Sequence, residues 1–296
     1  MIKKLSALFL FLILAAIPVT SFAYQAGEEE AYRAVLLELI ASLQQQIALL
    51  QEQLEILQVE NGQNSFIDDV TIVGSYKVDS LDDTFSISNQ QHRDYFEKVA
   101  DIIPDSYHDY FNELTVFVED EWYTDAYVET LPPDYEVWRY SVNEEVLSAN
   151  FSSREENELI IHEFAHIVSY EQIAGIAEPS ESSCAEYFER NGCPLKSSYI
   201  GQFADSFWSE EDLSRALDFS GSPEGTEMAY EYYDLHESDY VSDYAAVSPE
   251  EDFAETFAHF VLLGKPAGKN MGEEKVRYLY NYPDLVKLRQ IIRQNR

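Results

Sequence analysis

Basic residues are scarce in this chain of 296 residues, which carries 19 lysines and arginines against 55 aspartates and glutamates. The formal net charge is −36. A surface this negative repels phosphate groups, so the composition argues against nucleic-acid binding and against adsorption to anionic lipid headgroups. High solubility is the simple reading of the acidity. Structural calcium is compatible with it, although no calcium-binding motif is present.

Cysteine is almost absent, since the chain has only Cys184 and Cys193. In an exported protein such a pair predicts a disulfide that closes the short loop between the two residues. A two-cysteine metal site is the alternative. That spacing matches no zinc-ligand pattern, and no histidine lies nearby in the sequence.

A long hydrophobic run occurs near the amino terminus, where Lys3 and Lys4 precede the apolar stretch 7–19 and Ser21-Phe22-Ala23 follows it. This order predicts a signal peptide over residues 1–23 and export to the cell surface, the periplasm or the medium. A retained anchor is the alternative. Because the run is shorter than the about 20 residues that cross a bilayer, we expect no membrane span after cleavage.

Residues 24–62 have the pattern of a coiled-coil helix. Apolar residues within 36–57 recur in alternating steps of four and three, at Leu36, Ile40, Leu43, Ile47, Leu50, Leu54 and Leu57. This heptad spacing predicts a stalk that could self-associate. The alternative is an amphipathic helix that packs on its own domain.

The remainder, residues 66–296, is predicted to form one α+β domain. Alternating apolar runs predict strands at 69–73, 114–118 and 136–140. Apolar periodicity and end signals predict four helices, at 91–103, from Ser153 through His166, from Ser248 to about Leu263, and from Pro283 to Arg293. Ser153 and Glu156 have the spacing of a capping box at the start of the second of these helices.

The second helix contains the segment His162-Glu163-Phe164-Ala165-His166. Two histidines four residues apart lie on one face of a helix, so both imidazoles can bind a single ion. The glutamate after the first histidine can hold and deprotonate a water bound to that ion. The alternative is a pair of ordinary helix histidines that bind no metal.

A catalytic zinc needs a third protein ligand. Glu251 and Glu255 are four residues apart on the third predicted helix, so one could bind the ion while the other orients a histidine. Glu251 could instead close a capping box that starts at Ser248, and a carboxylate folded onto the cap cannot reach the ion. Four further histidines are weaker candidates: His92 and His108, expected to be solvated; His236; and His259, expected to pair with Glu255 or to be buried.

His-Glu-Phe-Ala-His followed by Tyr-x6-Glu-x-Phe-Ala-Glu resembles the gluzincin metallopeptidases, especially the lethal-factor-type peptidase domain. The resemblance implies a zincin-like fold with one catalytic zinc. It also implies residue roles: zinc ligands His162, His166 and Glu251, a carboxylate behind a liganding histidine at Glu255, and a tyrosine near the metal at Tyr244. The chain departs from the family at Asp252, where an apolar aromatic residue is frequent.

These features predict a secreted zinc metallopeptidase that hydrolyses peptide bonds in peptide or protein substrates. Glu163 would take the proton of the zinc-bound water, and Tyr244 would stabilise the oxyanion, with His236 and Tyr240 as lesser candidates. The alternative is a non-catalytic adhesion or assembly protein that uses a zincin-like scaffold and the coiled coil. A third interpretation makes the metal structural and requires a fourth protein ligand.

Overall fold

The computed structural model describes residues 70–119, 124–131, 136–149, 151–169, 195–219 and 222–296. All of them belong to one unit, Ser65–Arg296. The predicted signal peptide, the predicted coiled coil and the cysteines Cys184 and Cys193 lie outside the described residues. Within those residues, no helix combines the length and the apolar character that crossing a bilayer requires.

A four-stranded mixed sheet forms one layer of the fold. Its strands are β1 (Val70–Lys77), β2 (Phe111–Glu119), β3 (Ala126–Thr130) and β4 (Trp138–Asn143), arranged in the order β1-β2-β4-β3. The central pair β2 and β4 is parallel, and both edge strands are antiparallel to their neighbours. The three predicted strands correspond to β1, β2 and β4, whereas β3 was not predicted.

The helices, with the sheet, confirm the α+β class. They are α1 (Gln90–Ile102), α2 (Glu144–Ser148), α3 (Ser153–Ser169), α4 (Tyr199–Phe207), α5 (Glu210–Phe219), α6 (Pro223–His236), α7 (Pro249–Leu262), α8 (Met271–Leu279) and α9 (Pro283–Asn295). The four predicted helices correspond to α1, α3, α7 and α9. A short 3-10 turn, Tyr244–Ala246, precedes α7.

The core lies between one face of the sheet and the helices. Leu114, Val116, Tyr140 and Val142 of the central strands are fully buried. The residues between and beside them are buried as well, namely Thr115, Phe117, Ser141 and Asn143, so both faces of the central strands are covered here. The same core contains apolar residues of α1, α3 and α7, so α3 is enclosed between the sheet and other helices.

The capping box of α3 lies one residue earlier than predicted. Ser152 N–H donates to Glu155 Oε2 at 2.7 Å, and Glu155 N–H approaches Ser152 Oγ at 3.4 Å. The Ser153–Glu156 box is therefore wrong. Both serines precede a glutamate by three residues, so the spacing permitted either register. Glu156 instead forms an ion pair with Lys98 of α1, a contact that local spacing does not reveal.

The expectation that His92 and His108 are solvated is also wrong, because both are buried. A hydrogen bond of 2.8 Å joins His92 Nδ1 to the hydroxyl of Tyr76 on β1. His108 has Ile103 O at 2.9 Å from Nε2 and Asp82 Oδ1 at 2.9 Å from Nδ1. These histidines satisfy polar groups inside the fold, as buried polar side chains must.

Asp252 is fully buried in α7 and pairs with a buried lysine of α8. Lys275 Nζ donates to Asp252 Oδ2 at 2.6 Å, and Trp208 Nε1–H donates to the same oxygen at 2.9 Å. The ammonium also lies 4.1 Å from the ring centroid of Tyr240. Burial raises the pKa of Asp252, while the Lys275 charge opposes that rise. The acidic residue at position 252 is thus explained by its contact with the ammonium group of Lys275.

Because removal of one partner leaves an uncompensated buried charge, we expect Lys275→Met to lower the free energy of unfolding by about 3–5 kcal/mol. The double variant Asp252→Leu/Lys275→Met should recover most of that loss, since it removes both charges. Urea denaturation of the three proteins measures both effects. A single substitution as stable as the parent would show that the pair does not hold α7 against α8.

Candidate metal centre

Helices α3 and α7 pack against each other and carry the three candidate metal ligands. Phe164 and Ala165 of α3 and Phe253, Ala254 and Phe257 of α7 are completely buried. Alanines in both helices allow the backbones to approach closely, while the phenylalanines fill the adjoining space. This apolar packing fixes the distance across which the polar side chains of the two helices meet.

Three side-chain atoms converge between these helices. His162 Nε2 lies 3.2 Å from His166 Nε2 and 3.1 Å from Glu251 Oε2, and the distance from His166 Nε2 to Glu251 Oε2 is 3.5 Å. Ligand atoms that sit about 2.0–2.1 Å from a tetrahedral zinc ion are roughly 3.3 Å apart. The spacing of these atoms therefore matches that of ligands around one divalent metal ion, and the three residues form a group that could hold one.

Glu251 faces the histidines and not its own helix cap. Its backbone N–H donates to Ser248 Oγ at 3.2 Å, so the serine caps α7 with its side chain. The Glu251 carboxylate does not fold back in return but reaches the imidazoles of α3, retaining 20% side-chain exposure. Glu251 thus contributes its backbone N–H to the helix cap and its side chain to the candidate metal site.

Glu255 lies behind His162. A hydrogen bond of 2.7 Å connects its Oε1 to His162 Nδ1, on the opposite side of the ring from Glu251. Burial favours the neutral acid, but this hydrogen bond and the His162 charge hold the pKa of Glu255 below its usual value. The expected Glu255–His259 pair does not form within the described residues. His259 is half-buried on the same helix.

The electrostatics of the site favour a cation. Burial alone would lower the imidazole pKa values, yet the hydrogen bonds and charges of Glu251 and Glu255 raise the pKa of His162 well above its usual value. The pKa of His166 is raised despite burial, chiefly by the Glu251 charge. The same interactions hold the pKa of Glu251 far below its usual range against the effect of burial. Metal binding would displace these protons and supply the compensating charge.

Glu163 follows the first histidine and is only 4% exposed. Its Oε2 atom is buried and has no hydrogen-bond partner among the described residues. Burial raises the pKa of this carboxyl, while the charges of His162 and His166 oppose the rise. An unsatisfied buried carboxylate oxygen is costly, and this one belongs to the residue that follows the candidate ligand His162.

Tyr244 is the candidate oxyanion donor that the fold brings to the site. Its ring centroid lies 5.9 Å from that of His162, with 37% of the residue exposed. His236 instead stacks on Tyr232 at 4.0 Å and bonds that residue's carbonyl. Tyr240 packs over Lys275. These contacts place His236 and Tyr240 in other interactions and leave Tyr244 beside the histidines.

Two residues near the site were missed at the level of sequence. Glu250 is 8% exposed, and its Oε1 lies 3.6 Å from His166 Nδ1. Tyr230 of α6 has its pKa raised by burial and by the charges of Asp243 and Glu251, which places its hydroxyl within their field. The only signal for Glu250 was its position next to Glu251, which is equally typical of an acidic residue at a helix N-terminus.

Comparisons with protein-family models, curated proteins and solved structures find no match for this chain. The fold and the site therefore define the class by themselves. This is an α+β protein whose two histidines and one glutamate, His162, His166 and Glu251, form a group that could hold a metal ion.

We expect Glu251→Ala to abolish stoichiometric zinc binding, because it removes one of three converging ligand atoms. Glu255→Ala should retain zinc with about 10- to 100-fold weaker affinity, since it removes only the partner of His162. Competition with a chromophoric chelator measures both constants. Normal zinc binding by Glu251→Ala together with loss in Glu255→Ala would reverse the two assignments.

Proposed function

We propose that this protein is an exported zinc metallopeptidase of the gluzincin type with a zincin-like catalytic domain. The observation that carries the proposal is the set of distances among His162, His166 and Glu251, which matches tetrahedral zinc, together with the partnerless oxygen of Glu163. The resemblance of the two motifs supports the same class. Export rests on the predicted signal peptide.

Two histidines with one carboxylate are a ligand set of catalytic zinc, which keeps a coordination position for water or substrate. When bound, zinc polarises the scissile carbonyl and makes an attacking water more acidic. Among the described residues the metal group has three members, whereas a structural zinc site has four protein ligands. The composition of the group thus favours catalysis over a structural metal.

Glu163 acts in this proposal as the general base and then the general acid. It accepts the proton of the attacking water and delivers it to the leaving amine. Its dry surroundings, which include the buried and hydrogen-bonded hydroxyls of Tyr95 and Tyr140, limit competition from bulk water. Tyr244 donates a hydrogen bond to the oxyanion that develops on the substrate carbonyl.

A non-catalytic adhesion or assembly protein is less well supported. Such a scaffold has no need for a base beside its histidines. It would bury the Glu163 oxygen without any partner and lose stability for no functional gain. An apolar residue at position 163 would suit such a scaffold better, whereas the chain has a glutamate there.

We expect Glu163→Gln to retain zinc and to lower the rate of peptide cleavage by about 100- to 10,000-fold, the usual contribution of general acid–base catalysis. The amide has the same shape but cannot accept the proton. Zinc content and hydrolysis of a mixed peptide library, measured on parent and variant, test the prediction. Cleavage at the parental rate by Glu163→Gln would refute the peptidase proposal.

We expect Tyr244→Phe to lower kcat by about 100-fold, as loss of one oxyanion donor does, with little change in KM. Zinc affinity should stay at the parental value, since the hydroxyl is not a ligand. Tyr240→Phe is the matched control, because that tyrosine lies over Lys275 and should leave kcat unchanged. Equal effects of the two substitutions would remove Tyr244 from the catalytic step.

A further inference from the structure

Glu250 occupies an unusual place for an acidic residue in the first turn of a helix. It immediately precedes the candidate ligand Glu251 in α7, yet its side chain is only 10% exposed. Residues at this position normally face solvent, where they interact with the positive end of the helix dipole. Here the carboxylate is turned inward, and its Oε1 lies 3.6 Å from Nδ1 of His166.

The ring of His166 needs an acceptor at that nitrogen. Its Nε2 faces His162 and Glu251, and its Nδ1 is buried without a hydrogen-bond partner in the part of the chain that the structure describes. An imidazole that binds a metal through Nε2 carries its proton on Nδ1. A small rotation of the ring or the carboxylate shortens the 3.6 Å separation to the about 2.9 Å of a hydrogen bond.

The other histidine already shows the completed arrangement. His162 Nδ1 is bonded to Glu255 Oε1 at 2.7 Å, while its Nε2 faces Glu251. Both imidazoles thus have a carboxylate of α7 on the side away from the convergence point. One helix supplies the ligand and the outer partner of each histidine ligand.

We propose that Glu250 is a positioning residue. Its carboxylate accepts a hydrogen bond from Nδ1–H of His166 and so holds this ring with Nε2 towards the metal. The inference rests on the proposed metal centre and goes beyond it by assigning a role to Glu250. A carboxylate behind each imidazole fixes the tautomer, increases the basicity of the ligating nitrogen and strengthens metal binding.

The chain contains a matched control for the charge and helix position of Glu250. Helices α6 and α7 both begin with Ser-Pro-Glu, at Ser222 and Ser248. Each serine caps its helix by accepting a hydrogen bond from the backbone N–H three residues later. Glu224 is therefore the counterpart of Glu250, but it is exposed to solvent. Substitution of Glu224 changes a first-turn charge without touching a histidine.

The test compares the full chain with its variants Glu250→Gln, Glu250→Leu and Glu224→Gln. Zinc dissociation constants come from chelator competition, and the Nδ1 proton of His166 is followed by NMR of histidine-labelled, zinc-loaded protein. Glu250→Leu removes charge and acceptor and should raise the constant about 10- to 100-fold. Glu250→Gln keeps an acceptor oxygen and should fall between Leu and the parent. Glu224→Gln should bind as the parent does.

The spectra separate positioning from general stability. A hydrogen-bonded Nδ1 proton of His166 is expected in the parent and in Glu250→Gln, and should exchange rapidly in Glu250→Leu. If Glu250→Leu does not fold, a raised dissociation constant in Glu250→Gln against an unchanged Glu224→Gln still supports the inference. The role of Glu250 would be overturned if Glu250→Gln and Glu250→Leu both bound zinc with the parental affinity. If Glu250→Leu does not fold, parental affinity in Glu250→Gln alone would overturn it. Either result would leave the metal centre intact. Failure of the parent to bind zinc would overturn both.

Discussion

The site depends on the burial of several carboxylates of α7 against two imidazoles of α3. Glu250, Glu251 and Glu255 each have an oxygen within 3.6 Å of a histidine nitrogen. Like charges this close repel one another strongly where water is excluded. The hydrogen bonds to the histidines offset part of this repulsion, and the apolar contact between the helices offsets more, since each fully buried phenylalanine contributes about 1.5–3 kcal/mol to folding. Protons or a divalent cation can neutralise the excess negative charge that remains.

The helix geometry of α7 explains how three consecutive acids serve three purposes. Successive residues of an α-helix point about 100° apart, from 3.6 residues per turn. Glu250 therefore turns towards His166, Glu251 towards the convergence of both imidazoles, and Asp252 away from them to Lys275. A charged residue on the buried side of the helix is tolerated because a lysine of α8 neutralises it. Rotation of α7 about its axis would disturb all three contacts together.

Much of the central region could be predicted from the sequence because its signals are local. The histidine spacing, the apolar periodicity of α3 and the Ser-Pro start of α7 act within a few residues. The α+β class and the positions of four helices followed from them. The helices α2, α4, α5, α6 and α8 were missed, and so was β3. Four of these helices, α2, α4, α5 and α8, have only 5 to 10 residues, and so few turns give little apolar spacing from which to predict a helix.

Contacts between distant segments were beyond the same reasoning. Nothing in the sequence around His92 or His108 indicates that Tyr76 and Asp82 would meet them. Whether Glu251 is a cap or a ligand also depended on a contact between distant segments, because a ligand role requires the imidazoles of α3 to face α7. Spacing within a helix predicts the direction in which a side chain points. Which residue it contacts there depends on how the other segments of the chain pack against the helix.

The small size of the residues at the helix contact sets a limit on how the site can vary. Ala165 of α3 and Ala254 of α7 are fully buried, and a larger side chain at either position would push the helices apart. The distances of 3.1–3.5 Å among the candidate ligand atoms leave little room, because zinc–ligand bonds vary by only about 0.2 Å. Apolar residues outside the ligand group thus set the geometry that this site offers to a metal ion. Changes to these alanines should therefore weaken metal binding before they unfold the domain.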